Sequence, residues 1–529
     1  MTSLDERIDL FRQFLEKAKL DQKSYQVEGV EWCLKNELLL LNPFSSDSFI
    51  SESNEKLVGG IRGGIIADEM GLGKTITMIG LCIANKMPKT LIVLPVILME
   101  QWAEQIYRTT GHRALIYHGL KKKNITLTEL KNSLFVLTTY QTLVYKKGKK
   151  GKEEKKEKVN SKTFVNLLPL VHWNRLVFDE AHHLRNAKTL MFSGCYELRS
   201  NIRWLMTGTP IQNREKDFYH LCAMLRIPMN VVKDNIDFVK QRFMLRRTKS
   251  GVGLLLPDLI FQKEKVNWFS KKEMAFSQTL HSSFSFLKNV DREKKREEEV
   301  EEVYRSVSMM PEMLNAFEQG KGILLRLLTA SKQTCILSEL VGGTLNRMVL
   351  NGVLGGYDRE ILSSTSKLDV VVRSLLSKKG NGNGKLVFCH YHLEMISLYR
   401  LLVKGGMKVL IYGKMPKSMG YDGPSVGGKK GLHSLGVDYE VILIQIQTGC
   451  EGLNLQEFNE IYFVSPHWNP MIEEQAVARC HRIGQSKPVF VYHFMMNGFS
   501  GDHPKGISSL DQYILDTQER KRLIIGEFL

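Results

Sequence analysis

Short apolar runs recur in both halves of the chain, each followed by a helical or polar stretch. In the first half they are GGIIA (63–67), TLIVLP (90–95), ALIYHG (114–119), LFVLTTY (134–140) and RLVFDEAHH (175–183). In the second they are KLVFCHY (385–391), MKVLIY (407–412), YEVILIQIQ (439–447), EIYFVSP (460–466) and VFVYHFM (489–495). Continuous β-branched runs belong to strands covered on both faces, and intervening helices return the chain for parallel pairing. The pattern predicts an α/β chain with two parallel-sheet lobes in tandem. At 529 residues the chain exceeds one ordinary core. The boundaries read as a first lobe over 1–250, a helical insertion or linker over 251–360, a second lobe over 361–500 and a closing helix over 501–529.

The strongest local motif is IIADEMGLGKT (65–75), a strand, a glycine turn, then Lys, Thr and an apolar helical pattern. Backbone N–H groups at such a helix start can cradle a triphosphate. Asp68, Gly71, Leu72, Gly73, Lys74 and Thr75 form the candidate loop. The two glycines let the backbone approach the oxygens, Lys74 reaches the β/γ-phosphates, and the Thr75 hydroxyl holds Mg²⁺. Asp68 stands where the usual pattern has its first glycine.

LVFDEAHHL (176–184) places Asp179 and Glu180 at the C-terminal end of an apolar strand. Ligands of parallel sheets bind outside those strand ends. An Asp there can share the metal with Thr75, and the next Glu can polarise an attacking water. A plain alternative is a capping pair that starts a helix. EEQAVARCHRIGQ (473–485) reads as a helix with Arg479 and Arg482 on one face, suited to a γ-phosphate. Its alternative is an ordinary basic surface helix.

Lys plus Arg exceed Asp plus Glu by 18, which favours polyanionic partners. No apolar run reaches the roughly 20 residues of a membrane span. The N-terminus reads as an amphipathic helix rather than a secretory leader, so an intracellular protein is expected. The cysteines are scattered without a C-x-x-C pair, which argues against a zinc ribbon or a disulfide framework. Cys389, His390 and His392 cluster, but no second ligand pair accompanies them. KKGKKGKEEKKEKVNSK (146–162) reads as a surface loop, DREKKREEEVEEVYR (291–305) as a solvated helix, and NGNG (381–384) and residues 415–431 as loops.

These blocks resemble the SWI/SNF-type family of DNA-translocating ATPases within helicase superfamily two. The resemblance runs from about residue 20 to 520 through YQVEGVEW (25–32), IIADEMGLGKT, LIVLPVILMEQW (91–102), VLTTYQTL (136–143), VFDEAHHLRN (177–186), LMTGTPIQN (205–213), FMLRRTK (243–249), QTGCEGLNLQ (447–456), HWNP (467–470) and QAVARCHRIGQ (475–485). It implies two RecA-like lobes that hydrolyse ATP with Mg²⁺ in the cleft between them. Gln26 would read the adenine edge. His182, Thr207 and Thr209 would couple nucleotide state to movement. Arg479 and Arg482 would be arginine fingers, and Thr139, Thr448, Asn454 and Trp468 would lie along the DNA. SLDQYILDTQERKR (509–522) resembles the family's brace helix.

The implied activity is tracking along duplex DNA with little sequence preference, displacing or remodelling bound proteins or nucleosomes. No membrane partner or oligomer is implied. The location would be nuclear in a eukaryote, and compact motors of this kind also occur in bacteria and large DNA viruses. Two departures bear on DNA coupling. Gly449-Cys450-Glu451 replaces the usual Ala-Gly-Gly, and no arginine block follows Gly413. The cysteine spacing also lacks the zinc RING insertion of the repair-type branch. A strand-separating DNA or RNA helicase remains the alternative within the enzyme class, and a catalytically silent DNA-binding scaffold the alternative outside it.

Overall fold

The computed structural model describes residues 3–40, 58–144, 166–211, 214–282, 284, 323–350, 359–426, 439–449, 453, 455–499 and 507–528. It divides into two compact units, Met1–Leu255 with Glu527–Leu529, and Leu256–Gly526. The expected loop over 146–162 and the expected helix over 291–305 lie outside the described residues.

The first unit is built on a seven-stranded sheet in the order β3-β4-β2-β5-β6-β1-β7. The strands are β1 Gly63–Ile66, β2 Thr90–Leu94, β3 Leu115–Ile116, β4 Phe135–Thr139, β5 His172–Asp179, β6 Arg199–Met206 and β7 Met244–Leu245. All the pairings are parallel. Ile66, Ile92, Val177 and Trp204 from the sheet pack with Ile79, Trp102 and Ile106 from the covering helices. Sequence reading missed β6 because Arg199, Asn201 and Arg203 break its apolar run. The buried Arg203 guanidinium donates to the carbonyls of Met224, at 3.1 Å, and Leu198. Such main-chain acceptors stand in for a counter-ion. Arg175, inside β5, instead donates through Nε to Glu37 Oε1 at 2.6 Å, and the same oxygen accepts Trp204 Nε1 at 2.8 Å.

The second unit repeats the design, with strand order β11-β10-β12-β9-β13-β14-β8 and parallel pairing throughout. Its strands are β8 Leu259–Val266, β9 Gly384–Cys389, β10 Val409–Tyr412, β11 Ser425–Val426, β12 Val441–Gln445, β13 Phe458–Phe463 and β14 Val489–Met496. Strand β8 falls within 251–360, the stretch expected to be a helical linker. It is an edge strand with most side chains exposed, so no apolar run marks it in the sequence. The helices Lys271–His281, Ile323–Thr334 and Glu339–Leu350 follow, and Phe276, Leu327 and Leu345 from them join Val387 and Tyr492 in one core. Strand β11 lies within the expected loop over 415–431, of which residues 415–426 are described.

The helix Leu510–Phe528 is tied to the second unit by Asp511. This buried carboxylate accepts Ser465 Oγ at 2.8 Å and Met496 N at 3.0 Å, and pairs with the Lys367 ammonium. Farther along, Gln518 donates to Glu473 at 3.0 Å and Lys521 to the Trp468 carbonyl at 3.1 Å. Among the described residues no helix is long and apolar enough to cross a membrane, and no group of three or more His, Cys, Asp or Glu side chains is placed to hold a metal ion. The described cysteines are buried and free.

Candidate nucleotide site

The C-terminal ends of three neighbouring strands bring the motifs of the first unit together. Ile66 of β1 and Asp179 of β5 are both in register with Met206 of β6. The Asp68–Thr75 loop, the acidic pair and the Thr207–Thr209 turn therefore leave one sheet edge. Thr207 N donates to Ile66 O at 3.0 Å, and Thr209 N donates to Thr207 Oγ1 at 3.1 Å. Between those threonines, a Cβ on Gly208 would lie 3.6 Å from Lys74 Nζ. The threonine turn is thus seated against the loop lysine.

Lys74 opens the helix Lys74–Ala84, and its ammonium donates to the Asp68 carbonyl at 2.7 Å. The loop wraps back around its own lysine. Gly73 has φ of 83°, and a Cβ there would lie 2.5 Å from Gln26 Nε2. Only glycine meets both constraints. Gln26 is buried on the helix Ser24–Leu38 and donates to Leu72 O at 3.3 Å, so it sits directly on the loop. Thr75 is half-buried in the first helical turn.

Asp68 departs from its expected place. Its carboxylate is held by Arg247 N at 3.1 Å, Arg247 Nε at 3.0 Å and a second guanidinium nitrogen. Its main-chain oxygen accepts the Lys74 ammonium. A carboxylate aimed at a triphosphate would repel it, and the Arg247 fork removes that conflict. The segment after β7 zips along the loop as well. Ala67 N donates to Leu245 O at 2.7 Å, Glu69 N to Arg247 O at 2.9 Å, and Lys249 N to Glu69 Oε2 at 2.7 Å.

Asp179 is buried, and burial together with the neighbouring Glu180 charge pushes its carboxyl up to about 7. Trp102 Nε1 opposes the shift by donating to Asp179 Oδ2 at 2.7 Å. A carboxylate and a hydroxyl are the kind of oxygen ligand a hard divalent cation takes, and Asp179 and Thr75 carry them on this sheet edge and on the first turn of the helix that leaves it. Glu180 has φ of 50°, in the left-handed region, and His182 Nδ1 lies 3.3 Å from Glu180 Oε2. Burial holds the adjacent His183 down at about 4, and it stays neutral at pH 7.

Sequence reading missed Trp102, Tyr140 and Arg247, although each lies in a quoted block. Trp102 shares the buried face of the helix Met99–Thr110 with Met99 and Ile106. A buried tryptophan N–H needs an acceptor, and that requirement was the available signal.

Thr139 ends β4 at the same edge, with Oγ1 3.3 Å from His118 Nδ1 and 3.0 Å from Thr142 Oγ1. The other expected residues belong to the second unit. Thr448 lies in the short helix Ile446–Gly449 after β12, and Asn454 lies outside the described residues. Trp468 is half-buried against the C-terminal helix, its ring centroid 6.4 Å from that of Tyr513.

Arg479 and Arg482 are not on one helix face as expected. The helix is Pro470–Val477, and both arginines follow it in turns. Gln485 sets the turn by donating to Gln456 O at 2.9 Å and Phe458 O at 3.1 Å. Both arginine side chains are half-buried. Burial, then the Arg479 charge, lowers the Arg482 pKa, so the two guanidinium groups share one neighbourhood.

Residues 25–240 match the SNF2-related domain. An uncharacterized ATP-dependent helicase of Schizosaccharomyces pombe is 26% identical over 96% of this chain and 60% of its own length. A probable global transactivator of Orgyia pseudotsugata multicapsid polyhedrosis virus is 26% identical over 95% of this chain and 90% of its own. ATP-dependent DNA helicase DDM1 of Arabidopsis thaliana is 24% identical over 89% and 58% respectively. The chain thus spans about 60% of the yeast and plant relatives and nearly all of the viral one. Residues 25–240 thus carry the likeness to the SNF2-related domain, and beyond them the chain is similar over most of its length to proteins named as ATP-dependent helicases.

Proposed function

We propose that this chain is an ATP-dependent motor that tracks along double-stranded DNA and displaces or remodels bound proteins. The observation that carries the reading is the meeting of Lys74, Asp179, Glu180 and the Thr207–Thr209 turn at one sheet edge. Relatives named as ATP-dependent helicases support it, as does the excess of 18 basic residues.

Each residue has a defined task. Gln26 and the loop Asp68–Thr75 hold the nucleotide, with Lys74 turning from the Asp68 carbonyl to the phosphates. Asp179 and Thr75 would hold Mg²⁺, which supplies charge neutralisation at the β- and γ-phosphates when bound. Glu180 orients the attacking water and accepts its proton. Arg479 and Arg482 stabilise charge that develops on the transferred group. His182, Thr207 and Thr209 link nucleotide state to movement, and Thr139, Thr448, Asn454 and Trp468 line the DNA path. DNA-bound proteins or nucleosomes are the displaced partners, and the nucleus is the location in a eukaryotic cell.

Triplex displacement tests the reading. ATP-dependent release of a third strand from intact duplex, lost in Glu180→Gln, is expected. Unwinding of a forked duplex with no triplex release would establish the strand-separating alternative instead.

A further inference from the structure

The peptide that joins Asp179 to Glu180 is clamped at both of its polar atoms. Its N–H donates to Asp179 Oδ1 at 3.0 Å, and its C=O accepts the Tyr140 hydroxyl at 2.7 Å. That peptide plane sets φ of Glu180, which lies at 50°. A residue with a Cβ enters the left-handed region only at a cost, so the surroundings must hold it there.

Tyr140 is 1% exposed and also reaches the Glu180 side chain through rings. Its ring centroid is 5.3 Å from that of His183, and His183 is 4.6 Å from His182. His182 in turn faces the Glu180 carboxylate. Tyr140 thus acts on Glu180 along two routes, the hydroxyl on the main chain and the imidazoles on the carboxylate. It also directly follows Thr139, whose hydroxyl faces His118 and Thr142 and which stands in the proposed DNA path. A phosphate taken by the Thr139 hydroxyl would compete with those two partners and shift the Thr139–Tyr140 backbone.

We propose that Tyr140 is a positioning residue that sets the orientation of Glu180 and passes polynucleotide occupancy at Thr139 to the hydrolytic water. This rests on the ATPase reading above. Hydroxyl removal should loosen the water-activating carboxylate and leave the phosphate loop untouched. General-base catalysis is worth about 10²–10⁴-fold, and a loosened base forfeits part of that.

The test is Tyr140→Phe in the full chain. The expected result is a roughly tenfold lower kcat at saturating duplex DNA, with the KM for ATP, the duplex Kd and the melting midpoint close to wild type. The double variant Tyr140→Phe/Glu180→Gln should be no slower than Glu180→Gln alone, because the hydroxyl acts only through Glu180. If Tyr140→Phe cannot be purified, His183→Gln keeps the hydroxyl bond and breaks the ring route, and kcat should again fall at constant KM. An unchanged kcat would overturn the proposal. So would a loss spread equally over KM, Kd and melting, which marks a merely structural tyrosine. Wild type with no turnover at all would instead remove the ATPase reading and the proposal with it.

Discussion

Removing the Arg247 side chain tests how the phosphate loop is held. Asp68 is 1% exposed at its side chain and Arg247 13%, so the pair is almost wholly out of water. Arg247→Ala deletes the donors to both carboxylate oxygens and leaves only the main-chain N–H at 3.1 Å. Stripping one partner from a buried pair costs about 3–5 kcal/mol. The partial exposure of Arg247 and the surviving N–H place this case near the lower end, at about 3 kcal/mol. For a unit of this size that corresponds to a fall of roughly 6–12 °C in melting temperature.

Fluorescent-nucleotide binding should weaken as well, because an unpaired carboxylate then sits beside the triphosphate. Arg247→Lys keeps the charge without the fork and should fall between the two. The double variant Asp68→Asn/Arg247→Ala should recover part of the loss, since the stranded charge is gone. Thermal unfolding of the full chain with and without nucleotide measures all of this. A melting shift under 2 °C, or single-variant losses that simply add in the double variant, would mean that the Asp68–Arg247 pair does not hold the loop.

Other outcomes follow from the same contacts. Lys74→Ala should lose fluorescent-nucleotide binding, whereas Arg482→Ala should keep binding and lose turnover, read by comparing Kd with kcat. Asp511→Ala strands the buried Lys367 ammonium and should destabilise the second unit by about 3–5 kcal/mol, measured by denaturant unfolding. Burial pushes Glu394 up to about 7, against hydrogen bonds from the His390 and Tyr391 N–H groups. Its folded form therefore holds a proton that the unfolded form has released. The contribution of Glu394 to stability is full below about pH 4.5 and declines as pH rises toward 7. Relative to Glu394→Gln, wild type should lose roughly 3 kcal/mol between pH 4.5 and 8 in urea titrations.

The placement of the Asp68–Thr75 loop and of Asp179–Glu180 at strand ends was legible because both motifs are contiguous and follow apolar runs. What escaped depends on partners far apart in sequence. Asp68 reads as a loop residue until Arg247, 179 positions on, claims its carboxylate. The Trp102 bond to Asp179 spans 77 positions, and no local pattern announces it. Arg479 and Arg482 were misplaced for a different reason, since a spacing of three fits a helix and a turn equally. Gln485, bonded to the carbonyls of Gln456 and Phe458, decides for the turn. Strand β6 was hidden by Arg199 and Asn201 at its exposed start and the buried Arg203 within it, and β8 by polar side chains exposed at a sheet edge.

If the proposed function holds, duplex DNA drives ATP hydrolysis through Glu180. Steady-state phosphate release, alone and with duplex DNA, single-stranded DNA or RNA, beside Glu180→Gln, measures it directly. Strong stimulation by duplex DNA is expected in the wild type, and its loss in Glu180→Gln with ATP binding retained. Stimulation by single strands or RNA alone, or equal turnover in Glu180→Gln, would contradict the proposed function.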